Sequence, residues 1–463
     1  MTVVQLIGHS LTYPICDVLR LFYGPDIQIE GDLIRAGPGD QLITSEIDLS
    51  LPEKLQRREI KRQLYRQLSE LTGYQFPWGS LTGIRPTQVA AEALRDCRSI
   101  GEAREMLISH YFVSPDKADL ALQTALAEES LLNRVPPGSA MVYLEVPFCP
   151  TRCAYCSFIA QDAVHKANLL GPYVDAVLKE TGAFFSQLNT MMPISAVYVG
   201  GGTPTSLPTD LFARFLHGTL TQLPLLPGAE ITVEAGRPDT ITAEKLQVIQ
   251  NCMATRLCIN PQTFHDATLE RIGRRHTTRQ TVEAFRLARS LGFSSINMDL
   301  IAGLPGESPK DFADSLEQAL ILAPDSITIH TLALKRSSKL RQERQISGSY
   351  HGLPDPALAA MLRKAGQKLA DAGLHPYYLY RQKDVAGGLE NTGFARPGEG
   401  SIYNVGMMSD RCPIIGLGSG AMSKKITGSR VERLANPRDI ADYIKRTTEI
   451  AEKKAVLFKI GEE

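Results

Sequence analysis

Three cysteines that lie close together constrain this chain more than any other feature of its sequence. They are Cys149, Cys153 and Cys156. The spacing C-x3-C-x2-C falls within the segment VYLEVPFCPTRCAYCSF at 142–158. The apolar run before the first cysteine is typical of a strand, and Pro147 and Pro150 favour extended or turn geometry after it. The sequence therefore predicts a tight loop of three thiols just beyond the carboxyl end of a strand.

Three thiolates in such a loop indicate a soft metal centre. An iron–sulfur cube normally takes four cysteine thiolates, so three would leave one iron able to bind another ligand. Structural zinc is an alternative, although zinc prefers four ligands and usually two C-x2-C pairs. A disulfide with a spare thiol is a further alternative. The other cysteines lie in apolar or helical surroundings that are typical of buried thiols in a reducing compartment: Cys16, Cys97, Cys252, Cys258 and Cys412.

The composition argues against several classes of protein. Fifty basic and fifty acidic side chains cancel, so no net charge favours nucleic acid or an anionic membrane. No run reaches the ~18 uninterrupted apolar residues of a membrane-spanning helix, and the first residues do not resemble a signal peptide. We therefore expect a soluble cytoplasmic protein. Its 463 residues, 43% of them apolar, are enough for two or three domains with sizeable cores.

Strand and helix patterns divide the chain into three parts. Residues 1–138 predict an N-terminal α/β accessory domain, and residues 351–463 predict a C-terminal extension of helices and short strands. Between them, residues 139–350 alternate strand and helix, which favours a parallel sheet covered by helices. Its strands are predicted at 141–147, 194–199, 229–235, 255–260, 294–298 and 326–330. Its helices are predicted at 164–188, 208–221, 242–251, 265–290 and 308–322.

Candidate ligand-binding residues follow successive predicted strands. The glycines at 200–202 would let backbone groups approach a ligand closely. Glu234 could accept hydrogen bonds from a ribose or an ammonium, and Arg274 could pair with a carboxylate through its planar fork. Gln262 and Asp299 complete the series. Each residue alone would more often be structural, but sites of this kind of fold assemble at strand ends, so together they predict one ligand cage.

These motifs resemble known families. The cysteine spacing is similar to the signature of the radical S-adenosylmethionine (SAM) superfamily, and GGGTP at 200–204 is similar to its SAM-binding element. Residues from about 141 to 425 resemble the oxygen-independent coproporphyrinogen III oxidases, also called coproporphyrinogen dehydrogenases. The segments PWGSLTGIRPTQ and YYLYRQKDVAGGLENTGFARPG are similar to the HemZ-like branch. The resemblance implies a partial (β/α)6 barrel, a 4Fe–4S cluster and SAM.

The family's site residues carry over onto matching positions of this chain. The resemblance implies that the cluster is held by Cys149, Cys153 and Cys156. It implies SAM contacts, with Met422 a looser match, from Tyr143, Tyr155, Gly201, Gly202, Thr203, Glu234, Gln262, Arg274, Asp299, Ala333 and Met422. The chain also departs from its relatives. Glu145 stands where the oxidases carry histidine, and Phe158 where they carry a further cysteine. The HNxxYW signature of the related haem chaperones (HemW) is reduced at 403–408 to Asn404.

The resemblance implies an oxidoreductase of haem biosynthesis in an anaerobic or microaerobic setting. Its reaction would convert two propionates of coproporphyrinogen III to vinyl groups, giving protoporphyrinogen IX. A flavodoxin-like or ferredoxin-like donor would supply electrons. The tetrapyrrole carries four carboxylates, so cations are expected near it; candidates by position are Arg152, Arg237, Arg275, Arg381 and Lys383. Two alternatives remain: a haem-binding or trafficking protein, and a radical SAM methyltransferase or tetrapyrrole-modifying enzyme.

Overall fold

A computed structural model describes residues 1–83, 85–156, 161–189, 191–333, 355–382, 388–428 and 430–459. These residues form two compact units that are interleaved along the chain. The first unit contains Met1–Ala127, Ile329–Lys368 and Pro376–Gly393. The second unit contains Glu128–Thr328, Leu369–His375 and Phe394–Glu463. The predicted three-domain division, with limits near residues 138 and 350, stays a prediction, because the two units group residues by packing rather than by family homology.

The structure contains both helices and strands throughout its length. The α-helices are α1 (Thr12–Tyr23), α2 (Glu53–Thr72), α3 (Pro86–Asp96), α4 (Ile100–Glu105), α5 (Pro115–Leu132), α6 (Ala167–Ser186), α7 (Thr209–Leu220), α8 (Ala243–Asn251), α9 (Asp266–Arg271), α10 (Thr278–Ser290), α11 (Pro309–Ile321), α12 (Pro356–Asp371), α13 (Ile402–Met408), α14 (Ile440–Lys445) and α15 (Thr447–Phe458). The strands are β1 (Thr2–Ile7), β2 (Ile27–Glu30), β3 (Leu33–Ala36), β4 (Leu42–Glu46), β5 (Ala140–Val146), β6 (Phe148–Cys149), β7 (Gln161–Asp162), β8 (Ile194–Gly201), β9 (Leu225–Gly236), β10 (Arg256–Ile259), β11 (Ile296–Ala302), β12 (Ser326–Thr331), β13 (His375–Arg381), β14 (Glu390–Ala395), β15 (Ile414–Leu417), β16 (Met422–Thr427) and β17 (Arg430–Ala435).

The first unit begins with a four-stranded sheet in the order β2-β3-β1-β4. Its inward side chains pack with those of α1 and α2, and the core includes Val4, Ile15 and Leu64. A second core surrounds Trp78, which is buried together with residues of α3 and α5 and with Leu379 of β13. The indole Nε1 donates a hydrogen bond of 2.8 Å to the carboxylate of Glu390. This unit therefore needs residues from two distant parts of the chain.

The second unit is built on one sheet in the order β12-β11-β10-β9-β8-β5-β15-β16-β17. Strands β15, β5, β8, β9, β10 and β11 pair in parallel, whereas β15, β16 and β17 pair antiparallel. The parallel strands are almost continuously buried, as expected where helices cover a sheet. The strand order is linear, and among the described residues no pairing closes it. The predicted α/β fold is confirmed, with an open sheet rather than a closed barrel.

Most predicted elements of this sheet are confirmed within a few residues. The main difference is the helix predicted at 265–290, which is interrupted between α9 and α10. In the C-terminal extension, α14 and α15 follow each other with a break at Arg446. In the described parts of the chain, no helix is both long enough and apolar enough to cross a membrane.

Candidate cofactor site

The register of the parallel strands brings the predicted site segments to one edge of the sheet. Val146 at the end of β5 pairs with Gly201 at the end of β8. Glu234, near the end of β9, pairs with Cys258 of β10. The cysteine loop follows β5 directly, so it begins at this same edge. The carboxyl ends of neighbouring parallel strands therefore create one place where these segments meet.

The first wall of the site is the contact between the cysteine loop and the glycine run. The N–H of Gly202 donates to the carbonyl of Val146 at 2.8 Å, and the N–H of Thr203 donates to the carbonyl of Phe148 at 2.7 Å. The hydroxyl of Thr203 lies 3.4 Å from the Sγ of Cys149. A Cβ at position 202 would lie 2.5 Å from the Phe148 carbonyl oxygen and 3.0 Å from that sulfur. The absence of a side chain therefore allows the two loops to pack together.

The second wall is the turn between α9 and α10. The N–H of Ala154 donates to the carbonyl of Ile272 at 2.9 Å, and the hydroxyl of Thr151 donates to the carbonyl of Gly273 at 3.0 Å. Gly273 has a φ of +77°, a left-handed conformation that ends α9 and directs the chain past the cysteines. The interruption of the predicted long helix thus supplies a second support for the cysteine loop.

The three predicted cluster ligands lie close enough to influence one another. The pKa of Cys149 is raised to about 12, mainly by burial and also by the thiols of Cys156 and Cys153. Thr203 and Arg237 lower it in part. All eight cysteines are free, which gives the disulfide alternative no support. Among the described residues, no group of three His, Cys, Asp or Glu side chains has the geometry of a single-ion site. In a 4Fe–4S cube each thiolate binds a different iron, so this donor set fits the cube better than zinc.

Arg274 carries an unused donor beside the cysteine loop. Its Nη1 donates to the carbonyl of Asn260 at 2.5 Å, whereas its buried Nε has no hydrogen-bond partner among the described residues. Burial lowers the pKa of Arg274, but the neighbouring Tyr155 and Cys153 outweigh burial and raise it overall. Burial has the opposite effect on Tyr155, whose pKa it raises. Arg274 and Tyr155 are therefore placed together with a cluster ligand, and the guanidinium fits a carboxylate of a bound molecule.

Two glutamates, Glu145 and Glu234, lie against the glycine run. A Cβ at Gly201, whose φ is +105°, would collide with the carboxylate of Glu145. The hydroxyl of Tyr198 donates to the carboxylate of Glu234. Burial raises the pKa of Glu145 to about 7 and that of Glu234 to about 8, and Asp299 and Glu145 also raise the latter. The site thus holds two acids whose pKa values burial raises to near neutral pH.

Three tyrosine rings form a stack beside these acids. The rings of Tyr198 and Tyr403 are 4.8 Å apart, and each lies 6.3 Å from the ring of Tyr143. Tyr143 belongs to the predicted SAM set, but Tyr198 and Tyr403 were not predicted. Tyr198 could have been found, since it lies on β8 two residues before the glycines. Tyr403 joins the stack because α13 is placed next to these strands, and the local sequence does not indicate that placement.

The remaining predicted contacts fall into two groups. Gln262 has a φ of +71°, its N–H donates to the carbonyl of Asp299 at 2.9 Å, and its side chain is buried. The carboxylate of Asp299 accepts a hydrogen bond of 2.8 Å from Asn297. Ala333 is half-buried and belongs to the first unit, and Met422 opens β16 with 39% of its surface exposed. The SAM-binding roles of Ala333 and Met422 stay predictions.

The predicted substrate cations occupy different environments. Arg152 and Arg275 are both exposed. Arg381 is buried, donates to the carbonyls of Gly388 and Leu81, and has a pKa lowered to about 10 by burial. Its contacts are those of a structural residue. Lys383 lies outside the described residues, as does Phe158.

Arg237 was predicted by its position as a cation for the substrate, and its burial corrects this prediction. Only 2% of its surface is exposed. Its guanidinium donates to the hydroxyl of Thr151 at 3.0 Å and to the Sγ of Cys153 at 3.7 Å. It is therefore directed at the cysteine loop rather than at an open cleft.

Comparisons with known proteins agree with this geometry. The model of the radical SAM superfamily matches residues 145–319. The chain is 38% identical to the oxygen-independent coproporphyrinogen-III oxidase-like protein HemZ of Bacillus subtilis, over 83% of this chain and 77% of that protein. It is 29% identical to the heme chaperone HemW of the same organism, over 65% and 75% of the two chains. The solved coproporphyrinogen III oxidase HemN of Escherichia coli has a similar fold, with a TM-score of 0.54 and 23% identity over 71% of this chain and 73% of that one.

Proposed function

Because the chain belongs to the radical SAM superfamily, in the branch of the oxygen-independent coproporphyrinogen III oxidase-like proteins, we propose that it decarboxylates two propionates of coproporphyrinogen III to vinyl groups. Members of the superfamily bind a 4Fe–4S cluster and SAM. When bound, these groups supply a deoxyadenosyl radical that removes a hydrogen atom from the substrate. The observation that carries the proposal is the set of three free thiols held between the glycine run and the 272–274 turn.

The chain's own residues would bind and orient these groups. Cys149, Cys153 and Cys156 would hold the cluster. Arg274 offers its unused Nε–H to a carboxylate of SAM, and Gly202 lets the glycine run pack directly against the Cys149 loop. Glu234, which burial keeps largely protonated below a pH of about 8, can both donate and accept a hydrogen bond. These roles are supported by geometry and by the family resemblance together.

A second candidate function is suggested by the similarity to HemW, whose name describes a heme chaperone. In this alternative the chain would bind haem and keep the cluster without decarboxylating a propionate. The reduction of the HNxxYW signature to Asn404 weighs against the chaperone, although it does not by itself support catalysis.

One experiment separates the two functions. The protein is reconstituted anaerobically with iron and sulfide and then given SAM, dithionite and coproporphyrinogen III. We expect deoxyadenosine and the divinyl product protoporphyrinogen IX. Both should be lost in Cys149→Ser, Cys153→Ser and Cys156→Ser and retained in the control Cys97→Ser, which alters a thiol of the first unit. Stoichiometric haem binding without decarboxylation would instead support the chaperone.

A further inference from the structure

Arg237 makes contacts that the proposed function does not use. It follows β9 directly, and its Nη1 lies 3.7 Å from the Sγ of Cys153. The same guanidinium donates from Nη2 to the hydroxyl of Thr151 and reaches the Thr151 carbonyl from Nη1 at 3.5 Å. These contacts attach a permanently charged donor to both the backbone and a ligand sulfur of the cysteine loop.

The direction of this guanidinium is fixed by Asp239, which lies on the side away from Cys153. Asp239 accepts from its Nε at 3.2 Å and from its Nη2 at 3.3 Å, which leaves Nη1 directed at the sulfur. His276 lies on the other side of Asp239, with its Nδ1 4.0 Å from the carboxylate. Burial, with the nearby Arg274 and Arg237, lowers the pKa of His276 to about 3, so His276 stays neutral. Asp239, through its two hydrogen bonds, holds the fork of Arg237 in place.

The backbone around Arg237 is also constrained. Its N–H donates to the carbonyl of Ala235 at 2.6 Å, and its own carbonyl accepts from the N–H and the hydroxyl of Thr240 at 2.9 and 2.8 Å. The guanidinium therefore starts from a tight turn at the strand end. A side chain held at both ends in this way loses little conformational freedom when it meets the sulfur.

We propose that Arg237 is a positioning residue that raises the reduction potential of the iron–sulfur cluster by donating a charged hydrogen bond to the Cys153 sulfur. The inference rests on the proposed function, since it requires a cluster on Cys153. Reduction adds negative charge to the cluster and its ligand sulfurs, so a nearby positive donor stabilises the reduced form more than the oxidised form. The effect is strong because the group is buried in a medium of low dielectric constant.

The test measures the midpoint potential of the reconstituted full-length protein by a redox titration followed with electron paramagnetic resonance. We expect the equilibrium constant for reduction to fall about tenfold in Arg237→Gln, which is a shift of about 59 mV to more negative potential for one electron. Arg237→Lys should retain part of the potential, because it keeps the charge but loses the fork. The control Arg279→Gln removes an arginine that pairs with Glu283 on the surface and should leave the potential unchanged.

Asp239→Asn supplies a second variant with the opposite sign. Asparagine keeps one acceptor oxygen for the guanidinium, so the fork stays in place, but the negative charge behind it is removed and the potential should become more positive. General loosening of the loop would instead move both variants in the same direction. A potential equal to the wild type in an Arg237→Gln protein with full iron content overturns the proposal. If Arg237→Gln does not hold iron, an unchanged or more negative potential in Asp239→Asn overturns it. Failure of the wild-type protein to bind a cluster overturns the proposed function itself.

Discussion

Two glutamates of the second unit, one fully buried and one half-buried, have opposite surroundings. Glu180 on α6 accepts hydrogen bonds from the ammonium of Lys454, from the hydroxyl of Tyr443 at 2.6 Å and from the side-chain amide of Asn436 at 2.9 Å. Its side chain and that of Lys454 are both 0% exposed. The N–H of Gly418 also donates to Glu180 at 2.9 Å, so this network fixes the glycine-rich turn after β15.

Glu234 is half-buried in the same unit and lacks such compensation. It accepts a hydrogen bond from Tyr198 and lies near two other acids, Asp299 and Glu145. In the part of the chain that the structure describes, no cation pairs with it. An unpaired buried acid is costly for folding, and such groups concentrate at functional sites. The comparison shows that Glu180 belongs to a fully paired network, whereas Glu234 has only the Tyr198 hydroxyl as a donor among the described contacts.

The largest effect should come from removing the cation of the first network. In Lys454→Met, Glu180 would remain buried without its ion-pair partner, which costs about 3–5 kcal/mol. The loss would be measured as a decrease in the free energy of unfolding in urea. A loss below about 1 kcal/mol would mean that the Lys454–Glu180 ion pair contributes little to stability. The proposed difference between Glu180 and Glu234 would then be wrong.

Glu234→Gln should have the opposite effect on the cofactor-free protein. The pKa of Glu234 is raised from 4.5 to about 8 in the folded state, so the folded protein binds the proton more tightly than the unfolded chain. Stability from this group is fully present below about pH 4.5 and is lost as the pH rises to about 8. At about 1.4 kcal/mol per pH unit, Glu234→Gln should be more stable than the wild type by roughly 3 kcal/mol at pH 7.

The measurement is the free energy of unfolding of both proteins between pH 5 and pH 8. The difference between them should shrink towards the acid end of this range, because the pH there approaches 4.5, the pKa of glutamate in the unfolded chain, and the carboxyl group begins to be protonated in both states. A constant difference across the range would contradict a Glu234 that is desolvated and lacks a cationic partner.

The same substitution at two tyrosines sharpens the comparison. Tyr443→Phe removes a donor from a charged carboxylate and should cost about 1.5–3 kcal/mol at pH 6. Tyr198→Phe removes a donor from a carboxyl group that can stay protonated, so about 1 kcal/mol is expected. It should also raise the pKa of Glu234 further, since the Tyr198 hydroxyl lowers it. Equal costs for the two variants, from thermal or urea unfolding, would remove the distinction.

The smallest effect is expected at the neighbour of Lys454. Lys453 is 58% exposed and pairs with Glu449 on the surface of α15. Lys453→Met should therefore change the free energy of unfolding by less than about 0.5 kcal/mol. Measured beside Lys454→Met, it is the matched control. A comparable loss in both variants would indicate that helix propensity, rather than burial of an ion pair, determines the result.

The sequence was most informative where a pattern repeats along the chain. Alternating apolar runs predicted the parallel strands β5, β8 and β9, and the rule that sites form at strand ends predicted that the cysteines and the glycines would meet. The break between α9 and α10 could also have been predicted, because Gly273 is a typical helix terminator followed by two arginines.

Other features depend on register and packing that the sequence does not display. The contact of Arg237 with Cys153 joins residues separated by 84 positions. The stack of Tyr143 and Tyr198 requires the pairing of β5 with β8 to be known to the residue. The clash that Glu145 would have with any side chain at position 201 likewise appears only once both strands are placed. The SAM contacts carried over from the family, including Ala333 and Met422, stay predictions.

The hydrogen bond between Trp78 and Glu390 has a consequence for the order of events during synthesis. These residues are 312 positions apart, and Lys117 binds the same carboxylate at 2.5 Å, 273 positions from it. While the ribosome is still translating the middle of the gene, the core around Trp78 has no anion for its buried ammonium. The core around Trp78 can therefore be completed only after residue 390 has been synthesised. Until then we expect the first unit to be partly folded and able to bind chaperones.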